Sequence, residues 1–196
     1  MLAVFVIFQA LPSQREKEYT KKIGWLFVLS SFLNIVWLFL WQYELLSVSV
    51  VLMFLLLATL IVIYLRLNIG KSAVSYREKL AVHVPFSVYL GWITVASIAN
   101  VAVFLVSENW DGFGISPETW ATLITIVALV ITLLVLATRK DIAYGLVIVW
   151  ALTGIAVNQS GNQSIVTLTE ASAITVLLAL VAVVLLSRLK SGHSKN

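Results

Sequence analysis

Cysteine is absent from this 196-residue chain, and with it go disulfide frameworks, thiolate nucleophiles and thiolate metal sites. Histidine is almost as scarce. His83 and His193 lie in separate basic segments, so no metal-ligand cluster has workable spacing. Charged residues make up 11% of the chain, against ~25% in an ordinary soluble domain. No Walker loop, dinucleotide fingerprint or nucleophile elbow is present, and Gly112-Phe-Gly114 lacks the strand-to-helix setting such loops require. No residue reads as catalytic. Acidic groups barely enter the apolar segments; Glu170, near the start of the last one, is the exception and sits at interfacial depth. Pumps and ion-coupled carriers usually place ionisable groups at the midplane, so this scarcity counts against that class.

What is present is apolar. Hydrophobic residues are 61% of the chain and mean hydropathy is +1.01, which predicts an all-α, polytopic membrane helix bundle. Six full transmembrane helices are expected at Ile23–Trp41, Leu46–Leu65, Val84–Val106, Thr119–Leu136, Ile142–Val157 and Leu168–Ser187. Each approaches the ~20 residues that cross a hydrocarbon core, Ile142–Val157 being the shortest. Met1–Leu11 covers about half that length and lacks the basic start and small-x-small site of a signal peptide. It reads as the tail of a span that begins before Met1.

Charge placement orients the spans. All 13 Lys and Arg residues fall in four groups: Arg15, Lys17, Lys21 and Lys22; Arg66, Lys71, Arg77 and Lys79; Arg139 and Lys140; Arg188, Lys190 and Lys195. The alternate loops hold only acidic charge, from Glu44, Glu108, Asp111 and Glu118. The positive-inside bias therefore predicts basic loops and C-terminus in the cytoplasm, with the plasma membrane as the expected location. The net charge of +4 is a topology signal, not a nucleic-acid footprint; its partner is the lipid bilayer. Asn158-Gln-Ser and Asn162-Gln-Ser match a glycosylation pattern short enough to arise by chance. Two cholesterol-type matches, at Tyr64 and Tyr76, read more simply as interfacial Tyr beside snorkelling Arg or Lys.

Two polar-aromatic seams interrupt the apolar helices. Pro85, Tyr89, Trp92, Ala96 and Asn100 step by four, three, four and four, which puts them on one helical face. Phe27, Ser30, Asn34, Trp37 and Trp41 repeat the pattern in the first full span. An Asn amide in hydrocarbon needs partners, so both seams are expected to face the bundle. The fifth span adds Tyr144, Trp150, Thr153 and Gly154. For most of these residues packing is the commoner role, since small and polar residues are ordinary interhelical glue worth ~0.6–2 kcal/mol. Trp92 differs, because it lies too deep for an interfacial anchor and shares a face with Tyr89 and Asn100. That combination suits a cavity for a large, flat, apolar ligand with a few polar groups.

Leu33-Asn34-x-x-Trp37, an unbroken second span, then Tyr89-x-x-Trp92-x-x-x-Ala96-x-x-x-Asn100 resembles the TspO/MBR family. These are the tryptophan-rich sensory proteins related to the mitochondrial translocator protein, or peripheral benzodiazepine receptor. The resemblance covers about Ile23–Val106. Val88 stands where the family has Pro, Ala99 replaces the Leu before the last Asn, and no Trp-x-Pro-Pro lid loop is present. Three further spans follow Asn100, which a five-helix member would not have. The expected organisation is residues 1–106 as TspO/MBR-like helices, incomplete at the amino terminus, and 107–196 as three additional helices, in one integrated bundle.

The resemblance implies a membrane receptor or sensor that binds a tetrapyrrole, such as a porphyrin or haem-type ligand, or another flat hydrophobic small molecule. Asn34, Trp37, Tyr89, Trp92, Ala96 and Asn100 would form its site. The two Trp rings would stack on the ligand, and the two Asn would hydrogen-bond to it or hold the helices in register. A homodimer is compatible with this reading. The alternative is a carrier or permease for a small hydrophobic solute. An enzyme, of the kind proposed for tetrapyrrole breakdown in some family members, has no independent support in these residues.

Overall fold

The computed structural model describes residues 1–14 and 16–193, and of residues 190–193 only the backbone; Arg15 and Lys195 lie outside the described residues. Helices account for nearly all of it, with no strand among the described residues, and the fold is a helical membrane bundle. The chain divides into two compact units, Met1–Trp110 and Asp111–Asn196.

The first unit contains α1 (Leu2–Ala10), a 3-10 turn at Pro12–Gln14, α2 (Glu18–Ile23), α3 (Trp25–Gln42), α4 (Leu46–Arg66), α5 (Tyr76–Glu78) and α6 (Val84–Ser107). Gly24 separates α2 from α3 at φ 46 and ψ −135, a conformation closed to residues bearing a Cβ. Between α5 and α6 the turn widens into a π-helix at Lys79–His83, where the Val84 N–H reaches back to the Lys79 carbonyl. Pro85 follows immediately. Proline offers no N–H and its ring crowds the carbonyl four residues back, so a widened turn here relieves both problems. The result is one nearly continuous helical segment, Tyr76–Ser107, longer than the expected Val84–Val106.

At the centre stands α4, which packs on both α3 and α6. Its buried residues Ser49, Met53, Leu56, Leu60 and Ile63 alternate steps of four and three, the spacing of a coiled-coil seam. Facing them on α6 are Phe86, Leu90, Ile93, Ser97 and Asn100, with the same alternation. Where α3 and α6 begin, Phe5 from α1 is fully buried. Its ring lies edge-on to Phe27 at 4.9 Å and to Phe86 at 5.0 Å. The short apolar α1 is thus part of the packed unit.

The second unit comprises a 3-10 turn at Gly112–Gly114, α7 (Pro117–Arg139), α8 (Ile142–Asn158) and α9 (Gln163–His193). Each helix start is capped. The Ser116 hydroxyl accepts the Thr119 N–H at 3.2 Å ahead of Pro117, Asp141 accepts the Tyr144 N–H at 3.2 Å, and Asn162 accepts the Ile165 N–H at 3.3 Å. These are the residue types that satisfy first-turn donors. Helix α9 packs on both α7 and α8, around buried Leu136, Val176 and Leu180.

Among the described residues, five helical segments are long and apolar enough to cross a membrane: Trp25–Gln42, Leu46–Arg66, Tyr76–Ser107, Pro117–Arg139 and Gln163–Leu189. The expected fifth span, Ile142–Val157, is α8, an apolar helix of 17 residues. It extends about 25 Å at 1.5 Å per residue, short of the ~30 Å core.

Candidate functional site

Burial divides the six candidate residues. Asn100 is 1% exposed. Asn34, Trp37, Tyr89 and Ala96 are half-buried. Trp92 is 45% exposed, outside the packed stripe of its helix. The geometry explains the division. Phe86, Leu90, Ile93 and Ser97 are the next neighbours of Pro85, Tyr89, Trp92 and Ala96, so the α6 face against α4 is rotated about 100° from the seam. Beyond Ser49, the α4 face is formed by Met53, Leu56, Leu60 and Ile63, and the larger apolar stripe of α6 takes it. Pro85 is buried too, but Tyr89, Trp92 and Ala96 flank the contact. Asn100 falls at the edge shared by both faces.

On α3 the seam and the packed side coincide. Ser30 and Leu33 are buried, and Trp37 turns inward enough to bury its indole Nε1. The Trp37 and Trp41 rings are 6.0 Å apart. The Asn34 amide makes no hydrogen bond among the described residues.

The partner of Asn100 is Ser49, on α4. The Ser49 hydroxyl lies 3.0 Å from Asn100 Oδ1 and 2.9 Å from the Leu46 carbonyl. A hydroxyl has one hydrogen, so it serves one of these acceptors fully. With Oδ1 toward Ser49, the Asn100 Nδ2 group is buried without a partner. Rotating the amide lets Nδ2 donate to Ser49 Oγ, frees the hydroxyl hydrogen for Leu46, and leaves Oδ1 bare instead. In either orientation one arm of a buried amide is unsatisfied, at a cost of about 1–3 kcal/mol. The Trp37 Nε1 hydrogen is in the same condition.

These groups lie toward the same end of the unit. Phe27 and Phe86, near the starts of α3 and α6, approach at 6.1 Å, while Asn100 meets Ser49 near the start of α4. Helices α3 and α6 therefore run one way and α4 the other. Trp37 is five residues from the end of α3, Ser49 three residues from the start of α4, and Asn100 seven from the end of α6. Sequence reasoning missed Ser49. Its signal was available: a hydroxyl one turn inside an apolar helix, at the end that a hairpin places level with Asn100.

The long apolar helices, the Leu33-Asn34-x-x-Trp37 segment and the α6 seam are accompanied by a match of residues 1–185 to the family model described as TSPO-like protein. The chain belongs to the TSPO-like family. The match extends well past Val106, so α7, α8 and most of α9 belong to the TSPO-like pattern as well. Among curated proteins and among solved structures there is no significant match. Family membership and the apolar helices make the chain an integral, multi-pass membrane protein. Among the described residues, no group of three or more His, Asp and Glu side chains could hold a metal ion.

Proposed function

We propose that the first unit binds a flat hydrophobic ligand of the tetrapyrrole type, acting as a receptor or sensor. The observation that carries this reading is the pair of unsatisfied buried groups, the Asn100 amide and the Trp37 indole. Bundle cores rarely leave such groups unpaired unless a ligand or water completes them. A ligand with polar edge groups would satisfy them, and membership of the TSPO-like family supports the same reading. Tyr89, Trp92 and Ala96 form a half-exposed strip beside Asn100, so the ligand would enter laterally and lie against the Trp92 ring. Asn34 would stand on the opposing α3 side.

The test is quenching of intrinsic tryptophan fluorescence by a porphyrin, with the protein in lipid nanodiscs. Asn100→Leu keeps the volume and removes the amide; it should weaken binding up to about tenfold, the worth of one net hydrogen bond. Trp92→Phe should reduce both the quenching and the affinity. Unchanged affinity in both variants, each with wild-type thermal stability, would sink the site.

A further inference from the structure

In the second unit, the faces of α8 and α9 line an open groove of about 510 Å³. Its volume is within the range of small-molecule sites, ~300–1,000 Å³. The groove exists because both helices place alanine at its floor: Ala156 on α8 and Ala173 on α9 are buried there. Its lining is graded. Leu177 marks the apolar deep end, while Thr153, Gln163 and Glu170 sit toward the α8–α9 loop.

Among the described residues, Glu170 is the only charged one lining this space. The carboxylate makes no ion pair among the described residues, and no Lys or Arg occurs between Asp141 and Ser187. Arg188 is 18 residues further along α9, about 27 Å away. Arg139 and Lys140 lie before the start of α8, a full helix length from the loop end. The groove is therefore an apolar trough with one unneutralised negative charge at its mouth. A phosphate or carboxylate there would meet repulsion and no cation. A positively charged nitrogen would meet a carboxylate in surroundings of reduced dielectric, where the attraction exceeds its value in water.

We infer that the α8–α9 groove binds a small amphipathic cation, its ammonium on Glu170 and its apolar body over Ala156 and Ala173 toward Leu177. The site is separate from the one proposed in the first unit and does not depend on it.

The experiment uses the full chain in phosphatidylcholine nanodiscs at pH 7, with dodecylamine bearing a diazirine at its alkyl end as probe. Photolabelling is mapped by mass spectrometry. Label should concentrate between Val149 and Leu177, and the matching diazirine alcohol should label this segment about fivefold less, the worth of one partly exposed ion pair. Glu170→Gln, at an exposed position, should bring amine labelling down to the alcohol level. Ala173→Leu should reduce both by filling the floor. The inference is overturned if amine and alcohol label equally, or if Glu170→Gln leaves amine labelling unchanged. It is also overturned if phosphatidylethanolamine at bilayer mole fractions displaces the probe, which would make the groove a phospholipid site. Crosslinks from this segment to a second copy of the chain, in place of probe adducts, would overturn it as well.

Discussion

At the scale of single residues, the informative groups are those whose hydrogen-bonding capacity does not match their surroundings. Ser49 and Asn100 couple α4 to α6 across an otherwise apolar contact. Because the amide is half-satisfied, removing it costs less than removing a complete bond. Asn100→Leu is expected to change stability by less than about 1 kcal/mol, since an apolar replacement also abolishes the unpaired arm. Ser49→Ala alone removes the hydroxyl that partners that amide and should cost about 1–3 kcal/mol. The double variant should resemble Asn100→Leu. A double-mutant cycle in detergent measures this, and additive single effects would show that the two groups do not interact. Tyr19 gives a pH signature outside the spans. Burial pushes its hydroxyl pKa above the usual 10.0, with Glu78 adding to the effect and a hydrogen bond with Thr20 opposing it. A raised folded-state pKa contributes stability that is present below pH 10.0 and is lost as pH rises through the folded-state value. Thermal unfolding should therefore drop on moving above pH 10.0, and Tyr19→Phe should flatten the drop.

At the scale of elements, the close approach of α8 to its neighbours depends on Gly145. A Cβ there would stand 2.9 Å from Leu180 Cδ2 and 3.1 Å from Leu136 Cδ2. Two effects compete on substitution. Alanine improves helix propensity by about 1 kcal/mol while forcing two buried leucine termini aside, so Gly145→Ala should be near neutral. Gly145→Val adds volume without further propensity gain and should destabilise by about 1–3 kcal/mol through overpacking. A thermal-shift series over Gly, Ala and Val at this position checks the crossover; destabilisation by Ala as large as by Val would mean that the leucines cannot move. At the same scale, the packed face of α6 is offset from the polar-aromatic seam. Spacing identifies residues that share a face, but two stripes one residue apart have nearly equal claims in an apolar helix. The partner surface chooses, and α4 chose the Phe86–Leu90–Ile93–Ser97 stripe over Tyr89–Trp92–Ala96. Element lengths were legible for α3 and α4. The length of α8 was legible too, but the π-helix before Pro85 and the full extent of α9 depend on backbone hydrogen bonding that hydropathy does not record.

At the scale of the whole molecule, the segregation of basic residues makes orientation testable. The natural chain lacks cysteine, so single introduced thiols report unambiguously. Ser107→Cys and Ser160→Cys are expected to react in intact cells with a membrane-impermeant maleimide. Ser72→Cys should react only after lysis, as the positive-inside bias requires. Labelling of Ser72→Cys in intact cells would overturn the orientation expected from the charge bias. Composition and run length determined that this protein is an apolar helical membrane bundle: 61% of residues are hydrophobic and 11% charged, and unbroken apolar runs of ~20 residues suit helices, whereas barrel strands alternate over ~10. Motif spacing carried the family, since Asn34, Trp37, Tyr89, Trp92 and Asn100 are positions along one chain. Only the tertiary structure decided that Asn100 meets Ser49, that Trp92 stands outside the packed stripe, and that two alanines open a groove beneath Glu170. Each of these is a contact or a void between helices, fixed by how side chains from separate helices fill shared space.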